Sequence, residues 1–397
     1  MTATERTGQA SHRIVFRVLT AGMILQLAFG LVFAWGSVVP YVLAQEHWSA
    51  VLVGAVFSGT PLGYGIGTLI AGRLADVVPP QRLCWVGMGL LAIGFAVAFF
   101  FPTGLTFVVF YAVVALGLGG GFALSGAVAS AVQVLPLRAG TVGGAMTAAY
   151  AAAAAFEAPL ISQLAPRLGW LDALRVVGIG VAAVAAVGLC LMPSLPSTGL
   201  PLYERRPTNW LELLRQPLVW SSTLVIFLGS ALGAYAAVNL VADAAVHRLT
   251  LGLAAAGLVG FSVCNSLSRL GAGISSDRFG VGRVVLAVLG LDLIAGLLLW
   301  SSASAAALVL GGLTAGTALG GGAGVLSRMA RDVSADRPQT AFGILFAGYA
   351  AGAFCGPLLG ATVGGPLAWL AVSAPALIGL GVLALRARFL PRSVVAR

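Results

Sequence analysis

The sequence predicts an all-α membrane protein: twelve transmembrane helices in two pseudo-symmetric six-helix bundles, with both termini cytoplasmic. Three observations predict it. Charged residues make up 9% of the 397 and hydrophobic residues 59%, and mean hydropathy is +1.01. A typical soluble domain is about one-quarter charged, so this chain has too few polar groups to cover a water-facing surface. Apolar runs of about 20 residues, the length that crosses a hydrocarbon core, recur twelve times. Finally, the first half of the chain repeats in the second.

The runs fall at 15–43, 50–75, 83–101, 104–135, 141–165 and 172–192, then at 217–244, 252–275, 283–302, 304–327, 339–364 and 367–388. Arg6, Arg13 and Arg17 before the first run imitate a secretory leader. The run from Val18 to Leu43 is too long for one and lacks a small-residue cleavage pattern, so it reads as the first transmembrane helix. The stretch 193–216 holds Pro193, Pro196, Pro201 and Pro207 among Glu204, Arg205, Arg206, Glu212 and Arg215. It reads as a cytoplasmic linker between an N-terminal bundle, 1–192, and a C-terminal bundle, 217–397.

A net charge of +10 raises the question of nucleic acid, but the 22 basic residues are all Arg and form no single patch. With the N-terminus inside, eighteen fall on the cytoplasmic side. Only Arg167, Arg175 and Arg248 fall outside, and Arg269 lies within a helix. That asymmetry is the positive-inside pattern. The expected setting is a multi-pass protein of the cell (inner) membrane, with the lipid bilayer rather than nucleic acid as its surroundings. Cys84, Cys190, Cys264 and Cys355 lie in apolar runs without CxxC spacing and read as buried, inert thiols. His12, His47 and His247 are isolated, so no metal or cofactor is expected, and no nucleophile–base arrangement suggests an enzyme.

The repeat is specific. Gly72-Arg73-Leu74-Ala75-Asp76 leads to Arg82, and Gly273-Ile274-Ser275-Ser276-Asp277 leads to Arg283, with the same spacing 201 residues on. Gly119-Gly120-Gly121 recurs as Gly320-Gly321-Gly322 at that offset. Arg138, Thr141, Gly144, Tyr150 and Trp170 recur as Arg337, Thr340, Gly343, Tyr349 and Trp369, 199 residues on. Parallel repeats of six helices with a site between them near the midplane are a transporter architecture. The glycine runs lack the lysine of a phosphate-binding loop and read as helix-packing residues.

The Gly-(x)3-Asp-(x)5-Arg loop after the second and eighth helices resembles the major facilitator superfamily, which implies alternating access by rocking of the two halves. A narrower resemblance rests on several stretches: Gly30-Leu31-Val32-Phe33-Ala34-Trp35-Gly36; Gly117 to Phe122, leading through Pro136-Leu137-Arg138-Ala139-Gly140 into Gly143-Gly144; and Asn265-Ser266-Leu267-Ser268-Arg269 followed by Gly271, Asp277 and Arg283. Together these are similar to the oxalate–formate antiporter and monocarboxylate transporter branch. Two positions depart from it. Tyr349, before Gly356-Pro357, stands where the oxalate-type pattern has Lys, and Asn265 stands where animal monocarboxylate carriers have Asp.

Arg269 lies eight residues before Asp277, so roughly 12 Å up the eighth helix at 1.5 Å per residue, close to the midplane. A guanidinium there costs about 2.5–3.5 kcal/mol or more unless paired or hydrated, and its fork matches a carboxylate. It reads either as the anchor of an anionic substrate, the role the resemblance implies, or as a structural ion pair with Asp292 or Glu157. Asn265, one turn earlier, can orient Arg269 or bond the substrate. Tyr349 and Tyr150 lie on helices that line the cavity in this superfamily, and Phe33 is a candidate for its wall. Glu157, Asp243 and Asp292 are candidate proton-coupling acids. Asp76 with Arg82 and Asp277 with Arg283, alongside Gly72 and Gly273, read as a cytoplasmic gate. The leading expectation is a secondary transporter of small organic anions, most of all monocarboxylates such as lactate, pyruvate or formate, with proton symport. An oxalate–formate-type exchanger, a drug or metabolite exporter and a non-transporting sensor are the alternatives.

Overall fold

The structure is a computed structural model that describes residues 3–195, 210–246, 251–301 and 304–389. Most of the linker, including Glu204, Arg205 and Arg206, lies outside them, as do His247, Arg248, Arg392 and Arg397. Of the linker's C-terminal part, Trp210–Leu214 forms a short helix.

Among the described residues, eleven helices are long and apolar enough to cross a membrane: α1 (His12–Ser37), α2 (Val51–Ala75), α3 (Pro80–Phe100), α4 (Gly104–Val134), α5 (Pro136–Leu168), α6 (Trp170–Leu191), α7 (Pro217–Leu240), α9 (Val281–Trp300), α10 (Ala305–Val333), α11 (Pro338–Val363) and α12 (Leu367–Leu385). Between α7 and α9 runs α8 (Leu251–Phe279), whose middle carries Asn265, Ser266, Ser268 and Arg269. These polar residues lower its apolar character, but its length, 29 residues, exceeds the roughly 20 that span a bilayer. Together the twelve make a multi-pass membrane protein of two six-helix bundles. Expected and observed helices correspond one to one. The clearest difference is α10, which continues past residue 327 as Leu326–Val333 and carries Arg328 and Arg331 with it.

The helix windings are not uniform. The first helix tightens to a 3-10 form over Gly30–Ser37, and α4 widens to a π-helix over Phe107–Gly119. Pro61, Pro159, Pro166 and Pro357 sit inside helices, where each removes a backbone hydrogen bond.

The end of α1 near Arg17 and the end of α6 lie together, since Arg17 donates to the Leu191 carbonyl at 3.0 Å. Gln81, at the start of α3, donates to the Met192 carbonyl at 2.8 Å. We call this the linker end and the opposite one the far end. The halves meet where α2 packs on α11 and α5 on α8. Hydrophobic attraction does not drive helix association in lipid, so close approach of small residues does. A methyl on Gly72 would sit 2.5 Å from the Gln339 carbonyl oxygen and 3.1 Å from Gly343 Cα; on Gly144 it would sit 2.5 Å from the Arg269 carbonyl. Bonds between halves run from the middle of the helices to the linker end.

The outer surface is apolar, with Ile93, Val187, Leu297 and Ile378 more than half exposed, as suits a lipid-facing surface. Cys190 and Cys355 lie on this surface. The expectation of four buried thiols is therefore corrected: an apolar run in a membrane helix has a lipid-facing side as well as a buried one, and only Cys84 is fully buried.

Candidate functional site

Two polar constellations break the apolar interior, one central and one at the linker end. Central is Arg269, 3% exposed. Its Nε donates to Asn265 Oδ1 at 3.2 Å, one turn back on α8. Its Nη1 crosses to the other half and donates to the Thr147 carbonyl of α5 at 3.3 Å. The guanidinium also lies 5.9 Å from the centre of the Tyr150 ring, within the range of a cation–π attraction. These contacts are neutral acceptors and a ring face. Among the described residues, neither Glu157 nor Asp292 forms an ion pair with it.

Aromatic residues from four helices gather around this charge. Phe33 of α1 meets Tyr150 edge-on at 5.2 Å, and Tyr64 of α2 lies 5.2 Å from Tyr150. Phe346 of α11 stacks on Tyr64 at 5.2 Å and lies 5.6 Å from Tyr349. Tyr349 donates its hydroxyl to the Leu319 carbonyl at 3.2 Å. The Tyr64, Tyr150 and Tyr349 hydroxyls all lie within electrostatic range of Arg269. Phe33, Tyr150, Asn265, Arg269 and Tyr349 thus lie together in the structure. Sequence reasoning missed Tyr64, Phe346 and Gln26, whose Oε1 accepts from the Tyr64 hydroxyl at 3.2 Å. A lone amide in an apolar first helix was the signal available for Gln26.

The three candidate proton-coupling acids separate. Asp243 accepts from the Trp369 indole at 3.5 Å near the far end of the seventh helix. The repeat-related Trp170 donates likewise to Glu46 at 3.2 Å. Asp243 therefore takes part in a paired far-end anchor, one in each half. Asp292 is 0% exposed on α9, with both carboxyl oxygens unpartnered, and packs within the C-terminal half. Glu157 is 4% exposed and its Oε2 is unpartnered. It lies within electrostatic range of Tyr150, which ties it to the centre, and of Tyr111, whose buried hydroxyl is also unpartnered.

At the linker end the structure corrects the expected charge pairs. Asp76 does not pair with Arg82, nor Asp277 with Arg283. Asp76 instead reaches the other half and accepts from the Thr340 N–H at 2.9 Å and from the Thr340 hydroxyl. Asp277 accepts from the Gly140 N–H at 3.0 Å, the Thr141 N–H at 2.7 Å and the Thr141 hydroxyl at 2.8 Å, with Arg328 of its own half 3.7 Å away. Each carboxylate thus caps the first turn of a helix in the opposite half, where free N–H groups and the helix dipole favour a negative charge. That attraction is directional and lies across the boundary. An arginine six residues along a loop has no comparable geometry. Burial pushes the Asp76 carboxyl above its ordinary value of 3.8, while the Thr340 bonds pull the other way. Gly72 and Gly273 lie beside these clasps. Each sits against the opposite half, Gly72 on Gln339 and Gly343, Gly273 on Gly140 and Gly144.

A dozen membrane helices in two related halves, clasped at one end around a central buried cation, define a transporter rather than an enzyme. The Major Facilitator Superfamily model matches residues 18–264, more than half of the chain, and the chain belongs to that family. No curated protein matches it. Among solved structures it is similar to a Major Facilitator Superfamily transporter, FucP, in the outward conformation. Identity is 16%, the TM-score is 0.72, and 95% of this chain and 99% of that chain are covered. It is likewise similar to the proton:xylose symporter XylE bound to 6-bromo-6-deoxy-D-glucose, at 16% identity and TM-score 0.71, covering 96% and 97%. At that identity the likeness is one of fold.

Proposed function

We propose that this transporter carries small organic anions, most of all monocarboxylates of the lactate, pyruvate and formate type, by alternating access with proton symport. The observation that carries the reading is Arg269: a permanent charge, buried at the junction of the two halves and, among the described residues, bonded only to neutral acceptors. A guanidinium in that position is costly, and a substrate carboxylate offers its fork a bidentate partner. Asn265 fixes the Nε edge, while Tyr150, Tyr349 and Phe33 supply an apolar wall with phenolic groups suited to a short acid. The ion-pair alternative and the apolar-cation exporter both want an acidic partner beside Arg269.

Protons enter through Glu157, a buried candidate acid that lies within electrostatic range of Tyr150 and whose Oε2 is unpartnered among the described residues. The linker end is cytoplasmic on this reading, because Arg73, Arg82, Arg138, Arg278, Arg283 and Arg328 cluster there. The clasps at Asp76 and Asp277 then hold the inner gate shut. The halves 1–192 and 217–397 rock about their shared boundary, in a monomer of the inner membrane.

Uptake into proteoliposomes of labelled lactate, pyruvate, formate and oxalate, with and without an inward proton gradient, tests this. Gradient-driven accumulation of a monocarboxylate, lost in Arg269→Gln, is expected. Accumulation that survives Arg269→Gln, or that occurs only for uncharged or cationic solutes, would sink it.

A further inference from the structure

Gln26 is a buried polar residue that the reading above leaves unused, joined through Tyr64 to the aromatic group around Arg269. It is 0% exposed on the first helix. The Tyr64 hydroxyl donates to its Oε1 at 3.2 Å, and among the described residues its Nε2 has no partner. Buried donors are nearly always bonded, and one left bare costs about 1–3 kcal/mol, so this amide invites an acceptor. As placed, the Tyr64 hydroxyl occupies Oε1. With Oε1 occupied, two N–H donors remain.

Tyr64 also ties Gln26 to the cation. Its ring packs on Tyr150 and Phe346, at 5.2 Å in both cases, and Tyr150 carries Arg269 over its face at 5.9 Å. Arg269, Tyr150, Tyr64 and Gln26 therefore form one continuous arc from α8 through α5 and α2 to α1. The groups along it that remain to be satisfied are donors: the rest of the guanidinium at one end and an amide NH2 at the other.

Resting on the reading of this site as an organic-anion site, we infer that Gln26 is a specificity-determining residue. It donates Nε2 to an oxygen on the carbon beside the carboxylate that Arg269 holds. The substrates preferred are then 2-oxo and 2-hydroxy acids. A plain acid of similar size, such as propionate, fills the same volume but leaves the amide bare. A site built to bond a polar group rejects analogues that lack it far more strongly than one that reads shape alone.

Competition of pyruvate and of propionate against labelled pyruvate uptake in proteoliposomes tests this with the full-length protein. The wild type should favour pyruvate by about tenfold or more. Gln26→Leu should bring the ratio close to one by weakening pyruvate, with propionate unchanged. Tyr64→Phe, which keeps the ring but releases the amide, should lower the ratio part of the way. It also serves if Gln26→Leu does not reconstitute. A ratio unchanged in either variant overturns the role of Gln26. Equal affinities for the two acids in the wild type also overturn it, and leave the anion site standing. A wild type that takes up neither acid, nor lactate or formate, overturns the anion reading itself.

Discussion

Asp76 in one half accepts hydrogen bonds from both the backbone N–H and the hydroxyl of Thr340 in the other, 264 residues along the chain. Asp277 does the same to Thr141, so the two clasps are images of each other under the internal repeat. Hydrogen bonds to a charged acceptor contribute about 1.5–3 kcal/mol. Thr340→Val and Thr141→Val should each shift the population toward opening at the linker end by roughly tenfold, and Asp76→Ala by at least as much. Spin labels at Leu137 and Phe279, exposed on opposite halves at that end, would report longer distances, in a background with the four cysteines replaced by alanine.

Acid should favour the closed clasp. Burial raises the Asp76 carboxyl above 3.8 in the closed state, and opening to water returns it toward that value. A group with a raised value contributes stability that is full below the ordinary value and lost as pH rises through the raised one. The closed fraction at the linker end should therefore fall as pH climbs from 3.8 through the raised value. Asp76→Asn, which keeps an acceptor for Thr340 but does not titrate, should remove its share of that dependence. The same label pair, followed across this acid range, checks it.

Close helix approach makes a sharper contrast. A methyl on Gly144 would sit 2.5 Å from the Arg269 carbonyl, whereas one on Gly89 or Gly290 would meet nothing within 4 Å. Gly144→Ala should cut transport at least tenfold, because α5 and α8 have to part where Arg269 crosses. Gly89→Ala and Gly290→Ala should be neutral or raise thermal stability, since alanine is favoured over glycine in a helix by about 1 kcal/mol. Uptake and melting in detergent separate the two classes.

Glu157→Gln should abolish gradient-driven accumulation while leaving exchange of internal for external substrate. Asp243→Asn should do the reverse: coupling persists, but the Trp369 indole loses a charged acceptor and the protein melts earlier. Counterflow and downhill uptake, measured side by side, distinguish these outcomes.

Much of this architecture was legible in the residues because the bilayer imposes few choices. A run of about 20 apolar residues has to be a helix there, and the repeat at offsets of 201 and 199 showed two halves. Arg269 was legible for the same reason: its depth follows from counting back from Asp277. The clasp was half legible. The sequence displays Thr141 and Thr340 as a repeated pair, yet it offers nearby arginines as the aspartates' partners. The real partners are helix first turns in the other half, a relation that sequence distance does not encode. Gln26 and Tyr64 escaped because neither is charged or repeated, and their meaning arises only when α1 and α2 are placed together. Asp243 looked like Glu157 on paper. The bond from Trp369 separates them.

Equilibrium binding of radiolabelled pyruvate to the purified protein tests the carboxylate-holding role of Arg269 most directly. Saturable binding in the wild type should weaken at least a hundredfold in Arg269→Gln, with Arg269→Lys recovering only part, because an ammonium keeps the charge but not the fork. Binding of equal strength in the wild type and Arg269→Gln would contradict it.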